Sequence, residues 1–80
     1  MKFFMTRGIS ERQADEKFAK FTEESLKRFL NNDWGDTCEE DAKLNDSDPE
    51  YAMGSYKIGE ETIWIKRDYD IVTILFPSEY

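Results

Sequence analysis

The spacing of apolar residues changes along this 80-residue chain, and the change limits the folds open to it. Apolar and small residues recur every three or four positions between Ala14 and Phe29, which predicts an amphipathic helix. Further along, Ile63 and Ile65 fall on one side of a two-residue alternation, which predicts a strand. One helical segment followed by strands is typical of an α+β domain.

The predicted long helix covers residues 11–31 and is amphipathic. Ser10 and Gln13 have the spacing of a capping box, in which each side chain satisfies a free backbone amide at the start of a helix. Asn31, Asn32 and Asp33 then interrupt the pattern. The predicted buried stripe consists of Ala14, Phe18, Phe21, Ser25 and Phe29, widened by Leu26 and Leu30.

A second, shorter helix is predicted for residues 37–44. Asp36 occupies its capping position, and Glu39 lies three residues later, as in a capping box. Its inward candidates are Cys38, Ala42 and Leu44, which form only a weak apolar stripe. The segment 45–49 that follows has the composition of a loop.

Four strands are predicted, at residues 3–7, 51–58, 62–66 and 71–76. Gly54 interrupts the second strand, which indicates either a bulge or an edge position. The last strand is apolar on both faces, which favours a central position in the sheet. The element order is therefore β-α-α-β-β-β, and we expect an antiparallel sheet of three to four strands with the long helix packed on one face.

The size of the chain predicts a single small domain, residues 1–80, with a thin core. Twelve aromatic residues provide most of the large side chains for that core. Cys38 is the only cysteine, so an intrachain disulfide is excluded, and the lack of secretory features favours the reducing cytoplasm. No stretch has the roughly 18 consecutive apolar residues of a membrane-spanning helix.

The excess negative charge of the chain lies in one segment. Residues 33–50, called here the acidic segment, contain eight acids and one lysine, and therefore carry the whole net charge of −7. The remaining residues contain ten acids and ten bases. Such a segment repels nucleic acid and anionic membranes and attracts a basic surface. We therefore expect no direct binding to nucleic acid or to a membrane.

The residue types present argue against an enzyme, a metal centre or a cofactor site. The chain has no histidine, the commonest general base and metal ligand. A lone Cys38 cannot build a zinc site, and we expect it to be a small buried residue rather than a reactive thiol. The loop that begins at Asp46 lacks the glycine and the terminal glutamate of a calcium-binding EF-hand. The isolated glycines form no phosphate-binding loop.

Two further patterns have ordinary explanations. Adjacent acids such as Glu39 and Glu40 do not face each other across a cleft, as glycoside hydrolysis requires. The bases of the long predicted helix alternate with acids, which is typical of a solvated face rather than of a nucleic-acid-binding one.

The acidic segment leads to the main functional hypothesis. Acids displayed on a helix and its flanking loop can imitate the phosphates of DNA, so that a basic nucleic-acid groove accepts the protein as a decoy. The alternative is that the acids only keep the protein soluble. Trp34 is expected either to fill the core or to be an exposed interface anchor. The candidate partner-binding residues are Asp33, Trp34, Asp36, Glu39, Glu40, Asp41, Asp46 and Asp48.

Several stretches resemble short proteins of plasmids and integrative elements in Gram-positive bacteria, commonly labelled plasmid-related. They are Thr6-Arg7-Gly8, Asp33-Trp34-Gly35-Asp36 with Glu40-Asp41 and Asn45, Ile63-Trp64-Ile65, and Thr73-Ile74-Leu75-Phe76-Pro77-Ser78-Glu79-Tyr80. The resemblance implies an accessory protein of mobile DNA and provides no catalytic residues. It favours an inhibitor of host defence, of the anti-CRISPR or anti-restriction type, whose partner is a nuclease or a CRISPR effector. The other hypothesis is a structural or oligomerising accessory domain, such as a homodimer in which the C-terminal strands, rich in β-branched residues, pair through an exposed edge.

Overall fold

The computed structural model describes residues 1–80 and has the predicted α+β class, with one strand followed by the helices and then by three strands. Its elements in chain order are β1 (Lys2–Met5), α1 (Arg7–Arg12), α2 (Glu16–Leu30), α3 (Glu39–Ser47), β2 (Met53–Ile58), β3 (Glu61–Asp68) and β4 (Ile71–Leu75). Short 3₁₀ turns at Pro49–Tyr51 and Pro77–Glu79 complete the structure.

The four strands form one mixed sheet in the order β1-β4-β3-β2. The pairs β2–β3 and β3–β4 are antiparallel, but β1 is parallel to β4, so the prediction of a purely antiparallel sheet was wrong. No hairpin joins β1 to its neighbour, because all three helices and two strands lie between them in sequence, and the direction of β1 is therefore free of a turn constraint. The central position predicted for β4 is confirmed.

One face of the sheet, called here the covered face, packs against the helices. The other, called the open face, is covered only in part, where Leu75 is buried and Tyr80 packs edge-on against Trp64. The strand register places six residues on the covered face, where all are buried: Gly54, Tyr56, Ile63, Ile65, Val72 and Ile74. Trp64 lies on the open face with Phe4 and Leu75, because alternate residues of a strand point to opposite sides. The register between β2 and β3 is continuous, so Gly54 marks an edge strand and not a bulge.

The predicted long helix is in fact two helices separated by a break at residues 13–15. Asp15 begins α2, since its carboxylate accepts hydrogen bonds from the backbone amides of Lys17 and Phe18. Ser10 lies inside α1 and does not cap a helix, so the predicted capping box is absent. Gln13 instead donates from its side chain to the hydroxyl of Thr22.

The apolar stripe of α2 contributes to the core largely as predicted. Phe18, Ser25 and Phe29 are buried, while Phe21 and Leu26 are partly buried against the core. Two residues of the predicted stripe are exposed. Ala14 lies in the break between the helices, so it is outside the helical stripe, and Leu30 lies at the end of α2, where its side chain turns outward. The core also includes Ile9 of α1, which is fully buried.

Glu79 holds the two ends of the described chain together. Its carboxylate accepts hydrogen bonds from the hydroxyl of Thr6 at 2.5 Å and from the backbone amides of Gly8 at 2.9 Å and Phe76 at 3.0 Å. The bond from Thr6 is the main cause that lowers the pKa of Glu79, since hydrogen bonds to a carboxylate favour its charged form. This contact anchors the C-terminal turn beside the start of α1.

None of the helices combines the length and the apolar composition that crossing a membrane requires.

Candidate acidic interface

The helix α3 is attached to the beginning of β2 through the side chain of Asn45. Its amide donates to the backbone carbonyl of Met53 at 2.8 Å and accepts from the backbone amide of the same residue at 3.2 Å. This pair of bonds imitates the pairing of a neighbouring strand, and Asn45 is only 7% exposed. The contact fixes α3 at the edge of the sheet formed by β2.

The structure changes the details predicted for α3. It begins at Glu39 rather than at residue 37, and Cys38, not Asp36, occupies the capping position without a side-chain hydrogen bond. Among the predicted inward residues only Ala42 packs against the core, whereas Cys38 and Leu44 are exposed. The buried position of α3 is occupied by the polar residue Asn45, so the apolar pattern of the sequence does not indicate it.

Trp34 lies in the core and is 6% exposed, so it is not an exposed interface anchor. Its ring packs edge-on against Phe29, with 5.3 Å between ring centroids. Its indole N–H donates to Oδ1 of Asp46 at 2.9 Å. The structure therefore supports the interpretation that Trp34 fills the core. Its hydrogen bond to Asp46 also attaches the C-terminal half of α3 to the core.

The chain before α3 runs along the outer edge of β2. The backbone amide of Asp36 donates to the carbonyl of Ser55 at 2.7 Å, and the amide of Ser55 donates to the carbonyl of Trp34 at 3.1 Å. The hydroxyl of Tyr56 donates to the carbonyl of Asp33 at 2.7 Å, and burial raises the pKa of this hydroxyl. The acidic segment is therefore bonded to β2 at residues that precede α3 and, through Asn45, from within α3.

Three of the candidate acids have partners within the chain. Asp33 accepts two hydrogen bonds from the guanidinium of Arg28, at 2.8 and 3.2 Å, and these bonds are the main cause that lowers the pKa of Asp33. Asp46 accepts from Trp34, as described above. Glu39 lies 3.6 Å from the ammonium of Lys43, but both side chains are largely exposed, and such a pair contributes little.

The other five acids of the segment have no ion pair and no side-chain hydrogen bond, and all are exposed: Asp36, Glu40, Asp41, Asp48 and Glu50. Glu40 and Asp41 lie with Glu39 in the first turn of α3, where the helix dipole stabilises negative charge. The helix fixes the backbone positions of these acids, and their carboxylates are exposed to solvent.

A cleft of about 490 Å³ lies between α3 and the open face of the sheet. Its lining includes the acids Asp36 and Asp41 and the aromatic residues Tyr51 and Trp64. Carboxylates beside aromatic rings form a suitable environment for a cationic side chain, which the carboxylates attract by charge and the ring faces attract through their quadrupole. The sequence did not indicate this cleft, because Trp64 lies 23 positions or more from both acids.

No group of three or more cysteine, aspartate and glutamate side chains lies close enough together to hold a metal ion. Exposed Cys38 borders the cleft described above as a free thiol. No family model, curated protein or solved structure matches this chain.

Proposed function

We propose that this chain is a non-enzymatic interaction module whose acidic segment binds a basic surface of a nucleic-acid enzyme and blocks it. One observation carries the proposal: five unpaired, exposed acids lie on and around a helix that is hydrogen-bonded to the sheet edge. Acids of a merely solubilising surface need no such attachment. Because α3 is fixed, partner binding does not have to order it, and this reduces the entropic cost of association.

The charge density of α3 supports a basic nucleic-acid groove as the target. A helix of nine residues is about 14 Å long. From Asp36 to Asp48, six acids and one lysine lie on or beside this helix. Duplex DNA presents about eight negative charges over the same length. The net charge near α3 is thus somewhat lower than that of DNA but of the same order, as expected of a decoy that a phosphate-binding groove accepts.

The cleft gives the proposed contact a specific feature. An arginine or lysine side chain of the partner enters between the carboxylates of Asp36 and Asp41 and lies against Trp64. Desolvation in the cleft strengthens both contacts, because charge interactions weaken in bulk water. The exposed acids at the rim, such as Glu40 and Asp48, steer the approach of the partner more than they hold it.

A pull-down from bacterial lysate tests the proposal. We expect the wild-type chain to recover basic nucleic-acid-binding enzymes at about 0.1 M salt and to lose them at about 1 M, because the screening length falls from about 10 Å to about 3 Å. The variant with Glu39→Lys, Glu40→Lys and Asp41→Lys should lose this recovery at low salt. For a purified partner we expect the affinity to fall at least about tenfold, or ~1.4 kcal/mol.

A charge-matched control separates the acidic interface from the effect of net charge. Glu24→Lys, Glu60→Lys and Asp70→Lys change the net charge by the same amount, and all three residues are exposed outside the acidic segment. This control should keep the partner. Equal losses in the two triple variants would show that only overall charge matters and would contradict the proposal.

A further inference from the structure

The strand β1 forms an edge of the sheet whose outer side is unpaired. Within the chain, the backbone amide of Lys2 donates to the carbonyl of Asp70 at 2.7 Å, and that of Thr6 donates to the carbonyl of Ile74 at 3.0 Å. Because alternate residues of a strand direct their backbone groups to opposite sides, the N–H and C=O groups of Phe3 and Met5 point away from β4. These groups can pair with an added strand.

The side chains of this edge are apolar and half-exposed. The exposed fractions are 49% for Phe3, 51% for Phe4 and 44% for Met5. Exposed edge strands of monomeric proteins usually carry charges, prolines or bulges that discourage pairing. Here Lys2 is the only charged residue of the strand, and the strand is regular. The edge therefore lacks the common protections against strand addition.

A groove of about 490 Å³ lies directly beside this edge on the covered face, between β1 and α2. Its apolar lining residues are Met5, Ala19, Leu26 and Ile74, and its other five lining residues are polar or charged. Phe3 and Met5 project from β1 on this same side, since they pair with Val72 and Ile74. No side chain of the chain fills the groove, so large apolar groups of an added strand can enter it.

We propose that a second copy of this chain occupies the edge, with the two β1 strands antiparallel and related by a two-fold axis at Phe4. In this register Phe3 of each copy pairs with Met5 of the other, and four backbone hydrogen bonds form. Phe4 faces Phe4 of the second copy on the open face, while the pairs of Phe3 and Met5 cover the two grooves. Lys2 lies opposite Thr6 of the second copy, so no like charges face each other.

The charge distribution favours this occupant. The acidic segment is bonded to β2, at the opposite edge of the sheet from β1. In the dimer the two acidic segments lie at the outer ends of an eight-stranded sheet, seven strand spacings or about 34 Å apart. This distance is several times the screening length of about 8 Å at physiological salt. Two copies that each carry a net charge of −7 can therefore associate through β1 with little repulsion.

The area available predicts a weak dimer. Each half-exposed aromatic ring offers on the order of 100 Å². With the neighbouring methionines and the strand backbone, the buried surface falls at the low end of specific interfaces, below about 1,200 Å² in total. The dimer should therefore dissociate on dilution. The inference does not depend on the proposed function, because none of the residues involved belongs to the acidic segment.

Analytical ultracentrifugation at physiological salt tests the proposal. We expect the average mass of the wild-type chain to rise towards that of a dimer as its concentration approaches about 1 mM. Met5→Pro should remain a monomer: it removes an outward N–H that the folded chain does not use, and proline is tolerated in edge strands. Phe4→Lys should also remain a monomer, while Leu30→Lys, which replaces a side chain of similar exposure on α2, should still form dimers.

A crosslinking experiment tests the register. In a Cys38→Ser background, Phe4→Cys should form a disulfide-linked dimer on oxidation, because directly opposite residues of a non-hydrogen-bonded pair come close enough. Ser10→Cys, on exposed α1, should not. A wild-type chain that stays monomeric at about 1 mM would overturn the proposal. So would dimers of the folded Met5→Pro and Phe4→Lys variants. Equal crosslinking of Phe4→Cys and Ser10→Cys would also overturn it.

Discussion

We expect Trp34→Ala to reduce the free energy of unfolding by about 3–5 kcal/mol, the usual loss when a buried large aromatic side chain is truncated. Trp34 is 6% exposed, packs against Phe29 and donates its indole N–H to Asp46. A domain of 80 residues has a stability of roughly 4–12 kcal/mol. The variant should therefore lose a large share of its stability, as urea titration followed by circular dichroism can measure.

Trp34→Phe separates the two contributions of this side chain. It keeps an aromatic ring beside Phe29 but removes the donor to Asp46, and we expect a loss of about 1–2 kcal/mol. If Trp34→Ala costs less than about 1 kcal/mol, the residue is not part of the core, and the attachment of α3 described here is wrong.

Gly35→Ala is expected to produce the other large loss of stability, at least about 2–3 kcal/mol. The φ of Gly35 is +70°, a left-handed conformation that costs other residues roughly 1–2 kcal/mol. A Cβ atom at this position would also overlap the backbone carbonyl oxygen of Ser55. Relief of the overlap has to separate the acidic segment from β2, because the obstacle is backbone and not a flexible side chain.

Gly59→Ala provides the matched control for Gly35→Ala. Gly59 has a similar φ of +59°, but a Cβ atom there would meet no atom within 4 Å. We expect it to lose only about 1–2 kcal/mol, the cost of the conformation alone. The difference between the two variants measures the close approach of residue 35 to β2. Equal losses in urea titrations would show that this approach is unimportant.

The sequence predicted the elements that local patterns define. The spacing of Phe18, Ser25 and Phe29 and the alternation of Ile63 and Ile65 indicated the buried faces correctly, because both patterns follow directly from helix and strand geometry. The break at residues 13–15 was overlooked. The apolar spacing continues across this break. The capping signals do not reveal the break either, because the sequence allows a helix start at Asp15 and also a capping box that begins at Ser10.

The direction of β1 could not be read from the sequence. Parallel pairing with β4 brings Phe3 beside Val72, and antiparallel pairing would leave the same four residues in an edge strand. Without a short connecting turn, no local signal distinguishes the two arrangements. All four residues of β1 are exposed in the structure, although three of them are apolar.

The acidic segment was visible in the sequence, but the state of its individual acids was not. The sequence does not show that Asp46 accepts from Trp34 or that Asp33 pairs with Arg28, since both contacts depend on how the chain turns between α2 and α3. The cleft beside Trp64 depends on the packing of α3 against β2, a contact between distant parts of the chain. The charge pattern thus locates the excess negative charge, but it does not show which carboxylates are left without a partner inside the chain.

The central claim is that the fold holds the excess negative charge at a fixed place on the edge of β2. Backbone amide hydrogen exchange of the wild-type chain, followed by NMR at neutral pH, tests it most directly. We predict that the amides of Asp36, Met53 and Ser55, whose acceptors lie in the contacts between the acidic segment and β2, exchange nearly as slowly as amides within β3. Exchange of these amides at the rates of an unfolded peptide, with β3 still protected, would contradict the account.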